Sequence, residues 1–377
     1  MQNVIMGAGE VKPVPISQTH DSQYDVEVYS APYTGKVEMD ILVPTHANIH
    51  LTIQCLRSIF RYTQTPYHLI VLDDAPYDDF GFTQKYLMEV QKERPNVTYC
   101  HSNIHWKTGN TFFNVGIKYA RSNIIVTCMN SMTVEPAWEI TGLALMKQDP
   151  QIGTIGFKCL FPNGLIESAG IAFNGVIPTD MGRDEQGYRC NEIREVQAVQ
   201  WAFAMHRKKA LEGNLEEDVF NGHVGWDDID NNLVVKSKGW KIFYCGQGTG
   251  IHAPRATRGS NSLEAMRLNH QNCERFMKRW GYWEKYLEGN KMNVADIIKY
   301  ETKDALTQTI TKIQVLSGYI KEAEAETQKL VQQALKELGV SPEQYVLEMN
   351  PQTNTWLLKK KGEPEEAVPK VEAEVKA

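Results

Sequence analysis

The chain has 377 residues, of which 42% are hydrophobic and 10% aromatic, so it can bury one large core, with or without a smaller appendage. This composition excludes an entirely disordered chain, and a formal charge of −6 at pH 7 gives no general attraction to a phosphate backbone. Residues 1–10 lack a basic region followed by a long apolar run, and no run of about eighteen uncharged apolar residues occurs. We therefore expect neither a signal peptide nor a membrane span.

The cysteines favour a reducing compartment. There are seven of them, widely spaced, without a Cys-x-x-Cys pair. An odd number at such spacings argues against a disulfide framework and against a structural zinc site. Taken with the missing membrane span, this predicts a soluble cytoplasmic protein.

Apolar runs and amphipathic stretches alternate through the first half of the chain. Residues 1–36 show no clear periodicity and predict an extended arm. Four short apolar runs that end in polar residues follow, and they predict strands at 39–43, 68–72, 97–100 and 124–129. The amphipathic stretches predict helices at 50–62, 81–93, 111–120 and 136–147. This alternation predicts an α/β fold with a mostly parallel, Rossmann-like central sheet flanked by helices.

Polar residues follow each predicted strand. They are Pro44-Thr45, Asp73-Asp74, Ser102-Asn103 and Asn130-Ser131. In open α/β sheets the ligand binds beyond the carboxyl ends of the strands. The pattern therefore predicts a binding site at this edge of the sheet.

The second half of the chain is less regular. Residues 152–251 contain short, Gly-rich strands that predict extensions of the sheet, and the chain turns helical after residue 261. Between 293 and 338 the apolar spacing favours either a coiled coil, which would make a homo-oligomer, or helices that pack on the main domain. The resulting organisation is an arm at 1–36, a main domain at 37–260, a helical region at 261–345 and a tail at 346–377 that is disordered at its end.

The acidic pair Asp73-Asp74 is a candidate for binding a nucleotide. A carboxylate can accept hydrogen bonds from a pyrimidine N3–H or from ribose hydroxyls, and Pro44-Thr45 can wall the base. An acidic pair after a strand can also be a turn or a helix cap, so the pair alone does not decide between these interpretations.

A second acidic cluster lies in Trp226-Asp227-Asp228-Ile229-Asp230. Three carboxylates within four positions repel one another, so we expect the pKa of at least one to rise, which suits a general base. Acids at a helix start also favour the helix macrodipole, which is the structural alternative. Trp226 adds an aromatic face on which a sugar ring can lie.

From about residue 40 to residue 259 the chain resembles the family 2 glycosyltransferases, which have the GT-A fold. The resemblance is carried by residues 40–46, Leu72-Asp73-Asp74, Gly109-Asn110 with Asn114-Val115-Gly116, residues 161–170, and Trp226-Asp227-Asp228-Ile229-Asp230. It implies transfer of a sugar from a nucleotide-sugar donor, expected to be a UDP-sugar, to an acceptor hydroxyl. It also implies a single displacement that inverts the anomeric carbon.

The resemblance assigns roles to individual residues. Asp228 is the implied catalytic base, and His252 matches a family histidine that can ligate a metal near the diphosphate. The implied donor-binding residues are Pro44, Thr45, Asp73, Asp74, Gly109, Asn110, Asn114 and Asn130. Trp226 and Asp227 are candidates for acceptor binding, as is Trp201, for which core packing is the alternative. We expect Asp73, Asn130, Asp228 and His252 to line one pocket.

The chain departs from the family pattern at Met132. Nucleotide-sugar enzymes carry Asp-x-Asp or Asn-x-Asp after the fourth strand, whereas this chain has Asn130-Ser131-Met132. Mg²⁺ and Mn²⁺ prefer oxygen ligands, which a thioether does not provide. We therefore expect weak or absent dependence on a divalent cation, with Arg255 and Arg258 contacting the diphosphate instead.

Three other functions were weighed. A catalytically silent relative would bind the nucleotide sugar or act as a scaffold, and Met132 favours it. A glycosyltransferase that acts on modified bases in DNA is disfavoured by the acidic net charge and by the lack of interleaved aromatic and basic residues. An oxidoreductase with a dinucleotide cradle is disfavoured because Pro44-Thr45-His46 follows the first strand where a Gly-x-Gly-x-x-Gly turn would be needed.

Overall fold

The computed structural model describes residues 15–46, 48–74, 81–106, 108–222, 225–253, 263–282, 329, 331–350 and 355–361. The chain divides into two compact units, residues 1–291 and residues 292–377. The first unit contains the predicted site and is described first.

Within the described residues, the first unit is built on a twelve-stranded sheet. Its strands are β1 (Ser17–Asp21), β2 (Val26–Ser30), β3 (Met39–Thr45), β4 (Tyr67–Asp73), β5 (Val97–Ser102), β6 (Ile124–Cys128), β7 (Met132–Val134), β8 (Ile152–Leu160), β9 (Ile166–Ser168), β12 (Ile193–Glu195), β13 (Phe203–Arg207) and β14 (Lys241–His252). A separate hairpin consists of β10 (Ile171–Asn174) and β11 (Ile177–Asp180). The main path of the sheet runs β1-β2-β5-β4-β3-β6-β13-β8-β14-β12, with β7 on β14 and β9 on β8.

The predicted mostly parallel sheet is confirmed. Strands β5, β4, β3 and β6 are adjacent and parallel, and they correspond to the four strands predicted from the apolar runs. Strand β13 is antiparallel to both β6 and β8, so β8 runs in the same direction as β6, as does its parallel partner β14. These six strands (β3, β4, β5, β6, β8 and β14) therefore have their carboxyl ends at the same edge of the sheet.

Helices cover both faces of the sheet. They are α1 (Ile49–Tyr62), α2 (Phe82–Glu93), α3 (Gly109–Tyr119), α4 (Ile140–Gln148), α5 (Lys208–Leu211), α6 (Asp227–Ser237) and α7 (Leu263–Arg279). The first four confirm the helices predicted at 50–62, 81–93, 111–120 and 136–147.

The core forms because β3 is apolar on both faces. Ile41 and Val43 enter one buried cluster, whereas Leu42, between them, enters a second cluster on the opposite face. Each such side chain contributes about 1.5–3 kcal/mol on full burial. Helix α3 approaches Leu42 closely at Gly116, where an added Cβ would lie 2.6 Å from Leu42 Cδ1. Glycine is therefore needed at this crossing.

Part of the predicted N-terminal arm belongs to the sheet. Strands β1 and β2 form an antiparallel hairpin whose second strand pairs with β5. Val26 and Val28 are buried, and a five-residue strand with alternating apolar residues gives only a weak pattern in the sequence. The domain boundary at residue 36 stays a prediction.

The described part of the second unit is small. Residues 331–337 are helical, and β15 (Tyr345–Asn350) pairs with β16 (Thr355–Lys360) in an antiparallel hairpin. This hairpin lies mostly within the segment predicted as a tail. The coiled coil predicted at 293–338 falls largely outside the described residues, as do residues 362–377.

A buried carboxyl joins α6 to the end of α7. Asp230 is 3% exposed; its Oδ1 accepts a hydrogen bond from Trp280 Nε1 at 2.7 Å and lies 3.2 Å from Arg279 Nε. Burial raises the pKa of Asp230 to about 6, whereas Trp280 and Arg279 oppose this rise. The predicted rise of a pKa in the acidic cluster is thus found at Asp230. Its main cause is burial, and repulsion from Asp227 contributes less.

We expect Asp230→Asn to change the pH dependence of stability. Because the pKa of Asp230 is raised on folding to about 6, its favourable contribution is fully present below about pH 4 and is lost as the pH rises through about 6. The unfolding free energy of wild type relative to Asp230→Asn should therefore fall by about 2–3 kcal/mol between pH 4 and pH 7.5. Urea unfolding of both proteins across this range measures the difference, and a difference that does not vary with pH would contradict it.

Candidate functional site

The carboxyl ends of β3, β4 and β5 meet at one edge of the sheet. In the strand register Thr45 lies beside Asp73, and Asp73 lies beside His101. The residues that follow these strands include His46, Asp74 and His105, and their side chains gather at this edge. The sequence-predicted location of a polar rim is therefore confirmed for these strands.

Asp74 is the residue that connects the loops at this edge. Its carboxylate is 1% exposed and accepts a hydrogen bond from the backbone N–H of Trp106 at 2.5 Å. Its own N–H donates to Thr45 O at 3.0 Å. Its carbonyl oxygen lies 3.2 Å from His46 Nδ1 and 2.8 Å from His105 Nδ1. Main chain and side chain of one residue thus hold the ends of three neighbouring strands.

Asp73 lies next to it in a second network. Its Oδ2 accepts a hydrogen bond from Tyr99 OH at 2.6 Å, and His101 Nδ1 is 3.3 Å away. The carboxylate is 2% exposed. Its binding of a nucleotide base stays a prediction, and the network fixes the orientation in which it would do so.

The loop after β6 is tied to β3 and to α1 by two threonines, Thr45 and Thr52. Asn130 Nδ2 donates to Thr45 Oγ1 and to Thr52 Oγ1, both at 3.2 Å, and the two hydroxyls lie 2.7 Å apart. The Asn130 N–H also donates to Pro44 O at 3.3 Å. The predicted donor-binding residues Pro44, Thr45 and Asn130 are therefore in mutual contact, although the amide nitrogen of Asn130 is used to hold the two threonines.

Met132 points into the hydrophobic core. The side chain is fully buried in the cluster that contains Phe203, and an added Cβ at Gly250 would lie 2.6 Å from Met132 Cε. The residue is therefore a core residue of β7, and a carboxylate at this position would be buried among apolar groups. This burial gives a structural reason for the departure from Asp-x-Asp.

His252, at the end of β14, pairs with a carboxylate that the sequence analysis did not assign to the site. His252 Nδ1 lies 2.7 Å from Glu167 Oε2, with side chains 13% and 7% exposed. His252 is opposite Met132 in the strand register, and Ala253 N donates to Ser131 O at 2.9 Å. His252 is therefore adjacent to the loop of Asn130 and Ser131, as its implied role near the diphosphate requires.

A second carboxylate lies close to this pair. Asp180 interacts electrostatically with Glu167, and burial raises the pKa of Asp180. Gln200 Nε2 donates to Asp180 Oδ1 at 2.9 Å, and Arg183 Nη1 lies 3.3 Å from Oδ2. Glu167 lies within the stretch at 161–170 that carries the family resemblance, which was the available signal for it. Only the tertiary contact with His252 singles it out.

Helices α3 and α6 meet at their amino-terminal ends. A Cβ added at Gly109 would overlap Asp227 Oδ2, so the start of α3 and this carboxylate are in direct contact. Asn231 Nδ2 donates to Asn110 Oδ1 at 2.6 Å, and Asn110 Nδ2 lies 3.2 Å from Asn231 Oδ1. The implied donor-binding pair Gly109-Asn110 therefore touches the implied acceptor-binding Asp227.

The three acids of α6 have different environments. Asp227 and Asp228 are half-buried, whereas Asp230 is turned towards Trp280 and Arg279. Asp228 Oδ1 accepts from Ile229 N at 2.9 Å, and Asp228 O accepts from Asn232 Nδ2 at 2.7 Å. Of the cluster, Asp230 serves the packing of α7, so Asp227 and Asp228 remain as candidates for the chemistry.

The two candidate tryptophans pack against other rings. Trp201 is 1% exposed, with ring centroids 5.4 Å from Phe113 and 4.4 Å from His206. The expected contact of Trp201 with the acceptor is therefore wrong, because a fully buried indole offers no face to a ligand. Trp201 packs in the core, which was the alternative. Trp226 is half-buried and lies 5.2 Å from Phe276.

Of the three remaining predicted donor-binding residues, the structure describes Asn114 and does not describe Arg255 and Arg258. Asn114 Nδ2 donates to Glu217 Oε1 at 2.6 Å and to Leu215 O at 3.0 Å, so its amide nitrogen holds a loop. Arg255 and Arg258 lie outside the described residues.

Among the described helices, none combines the length and the apolar character that a membrane crossing needs.

A series of contacts joins the predicted site residues. His252 is linked through Ala253 and Ser131 to Asn130, and Asn130 to Thr45. Thr45 is linked to Asp74, and Asp74 to Trp106 ahead of α3. The start of α3 then contacts Asp227. The pocket predicted for Asp73, Asn130, Asp228 and His252 stays a prediction.

Residues 40–156 match the family model described as glycosyl transferase family 2. Two curated relatives are each 22% identical to the chain, an uncharacterized protein y4gI of Sinorhizobium fredii over 259 residues and the O-antigen biosynthesis protein RfbC of Myxococcus xanthus over 252 residues. The alignments cover 66% and 62% of this chain but only 28% and 18% of those relatives. The chain thus spans about a quarter or less of their lengths.

The fold is similar to that of GalNAc-T7, which was solved with UDP, GalNAc and Mn²⁺. The TM-score is 0.53 at 12% sequence identity, and the likeness covers 71% of this chain and 55% of that chain. At such low identity the likeness shows the fold alone, which is GT-A. Residues 40–156 are thus similar to glycosyl transferase family 2, and they lie in a chain with the GT-A fold.

Proposed function

We propose that the chain transfers a sugar from a UDP-sugar to an acceptor hydroxyl, with Asp228 as the catalytic base. The observation that supports this most strongly is the contact between Gly109, at the start of α3, and Asp227, at the start of α6. It brings the helix implied in donor binding against the acidic cluster implied in acceptor activation. Two segments about 120 residues apart in the chain thereby meet at the edge where α/β sheets bind ligands.

The donor is assigned to the edge of β3, β4 and β6. Asp73 and Asp74 would accept hydrogen bonds from the base and ribose, and Thr45 with Asn130 would line the sugar-nucleotide side. The UDP bound by the similarly folded GalNAc-T7 supports a uridine donor over other nucleotides. Hydrogen bonds already hold these side chains, so little ordering would be needed on binding.

Asp227 and Asp228 of α6 have different proposed roles. The carboxylate of Asp227 lies at the amino-terminus of α3, where the positive end of the helix macrodipole favours a negative charge. Asp227 would therefore hold the two helices in register. Asp228 would accept the proton of the acceptor hydroxyl as its oxygen bonds to the anomeric carbon and the bond to the diphosphate oxygen breaks. Attack opposite the leaving group inverts the anomeric configuration.

The negative charge of the leaving diphosphate requires stabilisation. The Mn²⁺ bound by GalNAc-T7 makes a divalent cation plausible here as well. The described residues fit such an ion only in part: His252 and Glu167 are close together, but the buried thioether of Met132 takes the place of an oxygen ligand. We therefore keep the proposal of weak dependence on a cation, with Arg255 and Arg258 supplying positive charge.

The proposals for the acceptor class and for the cellular compartment rest on two further observations. Similarity to an O-antigen biosynthesis protein supports a bacterial surface glycan as the acceptor class, in preference to a base in DNA. All seven cysteines are free thiols, which is in keeping with a reaction in the cytoplasm. The burial of Met132 favours a catalytically silent relative as the second candidate function. Comparison of wild type with Asp228→Asn separates a silent protein from an enzyme.

Asp228→Asn should lower the rate of UDP release from a UDP-sugar by about 10²- to 10⁴-fold, because an amide cannot accept the proton. The measurement is UDP release in the presence of acceptor glycans, with KM and kcat determined separately. Asp218→Asn, an exposed acid in the loop before α6, is the matched control and should keep the wild-type rate. Equal background release by wild type and Asp228→Asn would instead show a silent protein.

Removing divalent cations should lower the transfer rate less than about tenfold, since the described part of the site lacks the usual carboxylate at Met132. The test is turnover of the donor in excess EDTA, followed by addition of Mn²⁺ or Mg²⁺. Complete loss of turnover in EDTA with recovery on Mn²⁺ would contradict the proposal. In that case His252→Ala should abolish the recovery, because it removes an imidazole that lies next to the loop of Asn130 and Ser131.

A further inference from the structure

The end of the sheet carries a group of metal-ligating side chains, of which only Asp74 has a role in the proposed donor site. One ligand atom each from His46, Asp74 and His105 lies within 4.8 Å of the others. Around tetrahedral zinc, with bonds of about 2.0–2.2 Å, ligand atoms lie roughly 3.3–3.6 Å apart. Shifts on the order of 1 Å would therefore bring the three atoms to coordination distance. Such shifts are within reach of the half-buried His46 and the exposed His105.

We propose that His46, Asp74 and His105 form a binding site for a borderline divalent cation of the zinc type. Two imidazole nitrogens and one carboxylate oxygen are the donor set found in three-ligand zinc sites, in which water completes the coordination. Hard cations such as Mg²⁺ prefer all-oxygen surroundings. The site is thus distinct in chemistry from the diphosphate position near His252, and it does not depend on the proposed transfer reaction.

The surroundings of the three side chains favour a cation. Asp74 is 1% exposed, so a cation beside its carboxylate would be attracted more strongly than it would be in water. The backbone carbonyl of Asp74 is within hydrogen-bond distance of a ring nitrogen of both histidines, at 3.2 and 2.8 Å. An acceptor of this kind orients metal-binding imidazoles in known sites. Both rings are therefore held at a common oxygen, with centroids 5.3 Å apart.

The scaffold and the access route also suit a metal site. The three residues follow β3, β4 and β5, which are adjacent parallel strands, so their relative positions are fixed by the ladder. Exposure of His105 gives an ion a path from solvent. The position lies beside Asp73, in the region proposed for the nucleotide base, so zinc and UDP should affect each other's binding.

The test is titration of the metal-free, full-length chain with ZnCl₂ by isothermal calorimetry, with Co²⁺ as a spectroscopic probe. Wild type should bind one equivalent of Zn²⁺ and give a visible Co²⁺ spectrum. His46→Ala and His105→Ala should each weaken Zn²⁺ binding by at least about tenfold, since each removes one of three protein ligands. Circular dichroism of each variant without metal checks folding, and His105→Gln replaces His105→Ala if the latter fails that check.

Two control variants locate the ion. His270→Ala, at an exposed position of α7, should bind Zn²⁺ as wild type does. The same is expected of His252→Ala, whose imidazole is paired with Glu167. Wild-type affinity in His105→Ala and His46→Ala would overturn the proposal. So would loss of the equivalent in His252→Ala, because the ion would then occupy the diphosphate position.

Discussion

The buried residue Asp74 is the constraint on which the geometry of the site depends. Its carboxylate holds the N–H of Trp106, its own N–H reaches Thr45 O, and its carbonyl lies between His46 and His105. A hydrogen bond from a neutral donor to a carboxylate contributes about 1.5–3 kcal/mol, and the cost of leaving the charge unpaired in the interior is larger. The loops after three strands are therefore held in one arrangement. The positions of the residues beyond these loops, including the start of α3, depend on this arrangement.

Helix α6 links this edge of the sheet to α7. Its first turn carries three acids, and each contacts a different part of the fold: Asp227 touches Gly109, Asp228 lies at the helix start, and Asp230 binds Trp280 and Arg279. Burial of Asp230 raises its pKa and costs stability at neutral pH, but it fixes the rotation of α6 about its axis. That rotation decides which of the other two acids can meet a substrate. A structural carboxyl thus determines the placement of Asp228, the proposed catalytic base.

Local sequence patterns predicted the sheet and its helices because β3 to β6 and α1 to α4 are long and strongly periodic. The same reasoning predicted which strand ends would be polar, and Thr45, Asp73, Asp74 and Asn130 lie at or directly after the ends of β3, β4 and β6. It failed at β1, which contains no apolar residue, and at β2, whose short apolar alternation becomes meaningful only when β5 provides a partner. Trp201 was ambiguous because an isolated tryptophan carries no information about which side of a sheet covers it. Glu167 and His105 depend on partners 85 and 31 residues away, and no local pattern records such contacts.

The two candidate cation positions follow from one difference in ligand chemistry. At the end of β14, the position that would complete an oxygen-rich site is a methionine whose side chain fills the core beside Phe203, so a change to Asp would place a charge among apolar groups. At the end of β4, by contrast, a buried carboxylate has two imidazoles beside it. Hard cations that accompany a diphosphate and borderline cations that prefer imidazole would therefore be drawn to opposite sides of the same sheet edge. In the proposed donor site the nucleotide would lie between these positions, so a cation held by His46, Asp74 and His105 would act on the base side of the donor and would leave the chemistry at the anomeric carbon to Asp228, the proposed base.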